Sequence, residues 1–175
     1  MPIEIADYDR AWPGRFEEEK IRIMATISSY VVAVEHVGST AVPGLAAKPI
    51  IDIMAGLRSL GDWLNCRGPL EALGYEYVPR WEVILPERRY FRKVRPQPRS
   101  HHIHMVETRS EFWRRQLLYR EHLRAHRDDA RAYEMLKRHL ATQFDTGPDY
   151  AAAKSAFIEA ILEKAATGHR LSKEA

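Results

Sequence analysis

Glu35-His36-Val37-Gly38-Ser39-Thr40-Ala41-Val42-Pro43-Gly44-Leu45-Ala46-Ala47-Lys48-Pro49-Ile50-Ile51-Asp52-Ile53-Met54 is the stretch on which the fold turns. It is entered by a β-branched run, Val31 to Val37, that stops at Gly38-Ser39-Thr40, and it leaves through a second apolar run from Pro49 to Met54. The pattern predicts two strands flanking a loop of small residues. The second strand carries a single charge, Asp52. Burying a carboxylate without a partner is costly or forces its pKa up, so a cationic group is expected to face Asp52.

The flanking chain supplies the rest of a mixed sheet. Phe16, Ile23, Ile27 and Tyr30 recur at helical spacing from about Pro13 to Tyr30, with Glu17, Glu18, Glu19, Lys20 and Arg22 read as the solvated face. After Gly56 a helix capped by Ser59 is expected to reach Leu73, with a break or kink at Gly68-Pro69. Strand-like pieces follow at Tyr75–Val78, Trp81–Leu85, Arg89–Val94 and His101–Val106, giving four to six strands, parallel where helices link them and antiparallel where they are close. Helices are then expected from Ser110 to His126, behind a Thr108/Glu111 capping box, and from Asp128, with Tyr133, Leu136, Leu140 and Phe144 as its buried stripe. Gly147-Pro148 separates a last helix carrying Tyr150, Phe157 and Ile161. Residues 1–166 read as one domain, and the polar tail 167–175 as frayed.

Length and composition set the class. A chain of 175 residues supports one compact domain, and 45% hydrophobic with 29% charged residues is ordinary for a soluble protein. A net charge of +3 does not by itself point to nucleic acid, and no window approaches a membrane span. Cys66 is the only cysteine and the first residues show no export signal, so a reducing, cytoplasmic location is expected.

Residues 38–53, together with Arg89-Tyr90-Phe91-Arg92-Lys93, His102-Ile103-His104 and Tyr150 to Phe157, resemble the GrpB family over nearly the whole chain. Some members of that family are fused to dephospho-CoA kinase, and it sits within the nucleotidyltransferase superfamily. The resemblance implies an α+β (α/β) fold: a nucleotidyltransferase-like mixed β-sheet with an N-terminal helix and a C-terminal helical segment. It also implies a phosphate-bearing small molecule, such as a nucleotide, as ligand, and nucleotidyl transfer as the reaction class.

In that superfamily a Gly-Ser turn holds nucleotide phosphates, and two carboxylates in Asp-x-Asp spacing bind metal, a task that suits magnesium. Gly38, Ser39 and Thr40 match the turn. Small residues there let backbone N–H groups approach an anion. The carboxylates depart from the pattern, because the same-face neighbours of Asp52 are Ile50 and Met54. Asp52 is left as the candidate catalytic group.

His102 and His104 share one face of their strand. If that strand lies beside the one carrying Asp52, two nitrogens and one oxygen converge as candidate ligands of a divalent metal, Mg, Mn or Zn. The chemistry of that donor set leans away from magnesium. The alternative reading is a pair of hydrogen-bonded histidines, one in the core. Glu35 is a further oxygen donor or a surface residue.

Cationic contacts to a phosphate are sought in Lys48, Arg92 and Lys154. The segment from Arg80 to Ser100 holds seven basic residues against two acids, which serves either an anionic ligand or a solvated edge strand. Lys48 either contacts phosphate or pairs with Asp52. Lys154 points into the pocket by resemblance, or reaches solvent by spacing alone. A nucleotidyltransferase-like enzyme and a nucleotide- or anion-binding regulatory module without transfer chemistry are both compatible with this set. A metal-dependent phosphoesterase is a third, weaker reading.

Overall fold

The computed structural model describes residues 3–95 and 99–171. α1 (Trp12–Ile27) is followed by β1 (Val31–Val37), a short turn of helix at Ser39–Ala41, and β2 (Ile51–Leu57). Next come α2 (Trp63–Ala72), β3 (Tyr75–Tyr77), β4 (Arg88–Lys93) and β5 (His101–Glu107). Four helices complete the chain: α3 (Glu111–Ala125), α4 (Arg127–Gln143), α5 (Gly147–Ala153) and α6 (Ser155–Leu171). The fold is therefore the expected mixed α/β arrangement, with an N-terminal helix and a C-terminal helical segment. Among the described residues no helix is long and apolar enough to cross a membrane.

The five strands lie in the order β1-β2-β5-β4-β3, antiparallel except for β2 and β5. Strand alternation separates two faces. On one, Ile51, Ile53, Ile103, Met105 and Phe91 pack with Phe16, Ile23 and Ile27 of α1 and with Cys66 and Leu70 of α2. On the other, Val37, Met54 and Val106 meet Phe112, Trp113 and Leu117 of α3. Val42 and Leu45, from the loop between β1 and β2, are buried with Leu123, Tyr133 and Ile161. That cluster binds the loop to the C-terminal helices, which places those helices over the face bearing Asp52.

Several local expectations are corrected. Residues Trp81–Leu85 form turns rather than a strand, since the Pro79–Trp81 helical turn diverts the chain. α2 runs unbroken through Gly68-Pro69; the bond lost at Pro69 frees only the carbonyl of Asn65, an exposed residue. Ser59 makes no capping bond, and the carboxylate of Glu107 accepts the Leu60 N–H at 2.9 Å instead. α3 is capped by Ser110, whose hydroxyl accepts from the Trp113 N–H, rather than by Thr108. The last helix continues to Leu171, past Thr167 where the sequence loses its periodicity, and residues 172–175 lie outside the described residues.

The glutamate run of α1 is not wholly solvated. Glu19 is 1% exposed and accepts hydrogen bonds from Lys93 Nζ at 2.5 Å, the Tyr75 hydroxyl at 2.9 Å and Arg22 at 3.2 Å. Burial alone would raise its pKa, but Lys93 and Tyr75 outweigh burial and hold it below the usual value. One carboxylate thus ties α1 to β3 and β4. His101 lies on this same face, as alternation requires, and is buried, its Nδ1 within 2.8 Å of Ser100 Oγ.

Candidate functional site

Register brings the site together. Asp52 is paired with Val37 across the β1–β2 ladder and with His102 across the β2–β5 ladder, and Tyr90 and Arg92 of β4 face His104 and His102. Because paired residues project to the same side, Asp52, His102 and His104 share one face. The imidazoles converge on a single oxygen: His102 Nδ1 is 3.1 Å and His104 Nε2 3.5 Å from Asp52 Oδ1. Opposite Asp52, where a cation was expected, stand the ring nitrogens of two histidines. Lys48 acts at longer range, its pKa raised by Asp52 but lowered more by burial.

Gly38 completes the near wall. It has φ +72°, and a Cβ there would lie 2.6 Å from Asp52 Oδ2, so only glycine lets the turn close onto the carboxylate. Burial would raise the Asp52 pKa, yet His102 and His104 outweigh it and hold the carboxyl well below the usual range. The carboxylate is ionised and its side chain stays 31% exposed, open to a ligand. Facing an ionised oxygen, His102 Nδ1 must carry a proton, and its Nε2 is buried with no partner among the described residues.

His104 is fixed more tightly. Arg88 Nη1 lies 3.2 Å from its Nδ1, and since guanidinium can only donate, Nδ1 accepts and Nε2 bears the proton directed at Asp52. Burial depresses the His104 pKa, with Arg88 and His102 adding to the effect against the pull of Asp52. A divalent metal shared by Asp52, His102 and His104 does not fit this arrangement. A ligating imidazole donates its second N–H to an acceptor, and here that position is held by a donor. Among the described residues, no group of three or more His, Cys, Asp or Glu side chains is disposed to hold a metal ion.

The cationic candidates divide. Lys48 Nζ and Lys154 Nζ each stand 4.3 Å from the ring centroid of Tyr150, and neither has a hydrogen-bonding or ionic partner among the described residues. Lys154 sits at the break between α5 and α6, half-buried, and desolvation followed by Lys48 lowers its pKa to about 8. Arg92, by contrast, is engaged by both oxygens of Glu76 at 2.8 and 3.1 Å. Thr40 turns its hydroxyl to His36 Nε2 at 2.9 Å, toward α1, and Glu35 is paired with Arg120 at 2.8 Å. Ser39 faces the hydroxyl of Tyr133, whose pKa is raised to about 12 by burial.

Three residues at this site had no role in the sequence reading. Arg88 was counted among the basic residues only; its contact with His104 depends on the β4–β5 register. Tyr133 was read as core. Lys137 was given no role, although its spacing of four from Tyr133 and three from Leu140 marks the buried stripe of α4.

Two surface concavities of about 310 Å³ lie elsewhere, one at the outer edge of β1 beside Arg120 and Arg124, the other at the α3–α4 junction. In the first, Arg120 already bonds Glu35 and the His36 carbonyl, and Arg124 bonds the Ala41 carbonyl. Their charge is committed to holding the loop. Lys48 and Lys154 make no such commitment and stand together on the ring of Tyr150, on the side of the sheet that carries Asp52, His102 and His104, and that side is the candidate site.

Fold and site define an α/β protein whose mixed sheet presents a carboxylate between two imidazoles, under a helical cover carrying lysines. The family described as GrpB protein matches residues 2–164, and the chain belongs to that family. It is 37% identical over 171 residues to UPF0157 protein SCO7215 of Streptomyces coelicolor, covering 97% of this chain and 88% of that one. It is also 37% identical over 164 residues to UPF0157 protein YqkA of Bacillus subtilis, covering 93% of this chain but 47% of YqkA, so it spans about half the length of that relative. The crystal structure of the conserved protein GrpB from Enterococcus faecalis superposes with a TM-score of 0.85 at 35% identity, over 95% of this chain and 99% of the other.

Proposed function

We propose that this protein binds a phosphate-bearing small molecule, a nucleotide being the first candidate, between the Gly38–Ser39 turn and the lysines of the C-terminal helices. The observation that carries the reading is a pair of clustered lysines without a salt bridge: Lys48 and Lys154 share the ring of Tyr150, are only partly exposed, and feel Asp52 only at longer range, with no direct ion pair or hydrogen bond at either Nζ among the described residues. Two desolvated cations that share one carboxylate at a distance carry more positive than negative charge and favour an incoming anion. Gly38, held at positive φ, keeps the turn close to Asp52, so a bound phosphate and the carboxylate are neighbours. Within a nucleotidyl-transfer version of this reading, Asp52 orients an acceptor hydroxyl, and His102 and His104 hold the carboxylate in place.

A second reading is a binding or regulatory module without transfer chemistry. It is favoured by the single acid on β2 and by the Arg88 bond that occupies His104. Thermal unfolding with nucleoside triphosphates, each with and without Mg, Mn or Zn, separates the two. A nucleotide at one hundred times its dissociation constant stabilises by about 2.7 kcal/mol, and this gain is expected to vanish in Lys154→Met. Stabilisation that requires a divalent metal and is lost in Asp52→Asn supports the enzyme; stabilisation indifferent to metal supports the module. No response to any nucleotide or to inorganic phosphates overturns both.

A further inference from the structure

The concavity at the outer edge of β1 has no part in the function proposed above. It measures about 310 Å³, at the lower end of the range for small-molecule sites. Tyr8, Pro13, Phe16 and Pro43 give it an apolar wall. Lys20, Arg120 and Arg124 line the remainder together with two acids, Glu17 and Glu35, which leaves one cation in excess.

The polar wall is also the fastening of the Gly38 turn. Arg120 donates to the His36 carbonyl at 2.7 Å, just before the turn, and Arg124 donates twice to the Ala41 carbonyl, at 2.8 and 3.0 Å, just after it. His36 lines the concavity as well; its ring is stacked on Phe16 and its Nε2 is 2.9 Å from Thr40 Oγ1, inside the turn. Because His36 and Asp52 project to opposite faces of the sheet, the concavity and the Asp52 cluster flank the same turn. With both guanidinium groups bonded to backbone, the cation open to an incoming anion is Lys20. Its ion pair among the described residues is with Glu17, at 3.9 Å and on the solvent side of α1, a contact of little strength. Lys20 Nζ also stands 5.7 Å from the Phe16 ring, so charge and aromatic wall adjoin.

We propose that this concavity is a second binding site, which takes a small organic anion with a flat apolar body, an aromatic carboxylate being the simplest case, and that its occupant is felt at the Gly38 turn. The apolar wall receives the ring and Lys20 the carboxylate. A single negative charge matches the one cation in excess, whereas a dianion would be opposed by Glu17 and Glu35. An ionised acceptor also competes with a neutral carbonyl for a guanidinium N–H. An occupant therefore bears on Arg120 and Arg124 and, through them, on the backbone at His36 and Ala41. Nothing in this arrangement requires an anion at Lys48 and Lys154, so either site can fail alone.

Amide chemical shifts of the isotope-labelled full chain at pH 7, followed during titration with benzoate, benzamide and acetate, test this. Benzoate is expected to move the signals of Lys20 and Val34 in the concavity and of Gly38 and Thr40 in the turn. Benzamide, which keeps the ring without the charge, and acetate, which keeps the charge without the ring, are each expected to bind at least about fivefold more weakly. Lys20→Met is expected to weaken benzoate by about fivefold and to leave benzamide as it was; Lys20→Gln serves if the methionine variant does not fold. No binding of benzoate, equal affinity for benzoate and benzamide, or wild-type affinity in both Lys20 variants overturns the site. Movement at Lys20 and Val34 with none at Gly38 or Thr40 overturns the link to the turn.

Discussion

Arg88 and His104 stand in adjacent strands with guanidinium Nη1 3.2 Å from imidazole Nδ1, and that one contact decides which nitrogen of His104 faces Asp52. A residue that can only donate makes Nδ1 an acceptor, so the proton lies on Nε2, directed at the carboxylate. The cluster is thereby a hydrogen-bonded carboxylate and two imidazoles.

Removing that donor frees His104. Arg88→Met should allow Nδ1 to protonate toward another acceptor and Nε2 to coordinate, so zinc or manganese, with no stabilising effect on the wild type, should stabilise the variant by about 2 kcal/mol at saturating metal. Equilibrium unfolding with and without metal reads this directly. Equal responses in both proteins would show that Arg88 does not control the site.

Gly38→Ala should be costly. The residue has φ +72°, and its new Cβ would stand 2.6 Å from Asp52 Oδ2. Backbone strain and displacement of the carboxylate together should lower stability by about 2–4 kcal/mol in urea titration. A loss under ~0.5 kcal/mol would mean that the turn and Asp52 are not in contact in solution.

His36 predicts an acid transition. It is buried, stacked on Phe16 with ring centroids 4.8 Å apart, and burial lowers its pKa to about 4 despite the favourable charge of Asp52. Between about pH 6.5 and 4 the unfolded chain holds this proton and the folded chain does not, so stability must fall as pH drops through that window. The full linkage is about 3 kcal/mol. His36→Phe should flatten the slope of stability against pH between 6.5 and 4, whatever it does to stability at pH 7.

Lys93 and Glu19 form the buried pair on the other face of the sheet. Lys93→Met strands the carboxylate with Tyr75 and Arg22 only, and should cost about 3 kcal/mol. Replacing both, as Glu19→Leu with Lys93→Met, should recover most of the loss. Chemical denaturation of the single and double variants measures the coupling; additive losses would show that the two charges do not interact.

Much of this protein could be read before any coordinates. β-branched runs, the Gly38–Thr40 turn and the helical stripes of Phe16, Ile23 and Ile27 follow from local preference and from the spacing of apolar residues, and so do the mixed sheet and its helical ends. Strand alternation alone put His102 and His104 on one face and Asp52 on the same face as Met54. What local spacing could not supply was which strand lies beside which, and how far one slides along the other. The parallel pairing of β2 with β5 sets Asp52 against His102, and the antiparallel pairing of β4 with β5 sets Arg88 within reach of His104. In the sequence Lys93 serves either an anionic ligand or a solvated edge strand, and nothing marks Lys137 out, because a long charged side chain is ordinarily solvated. Only packing against α1 in one case, and against the loop at Ala46 in the other, turned them inward. Charge and polarity are written in the chain; whether a charge is satisfied, stranded or shared depends on neighbours that only the folded arrangement brings near.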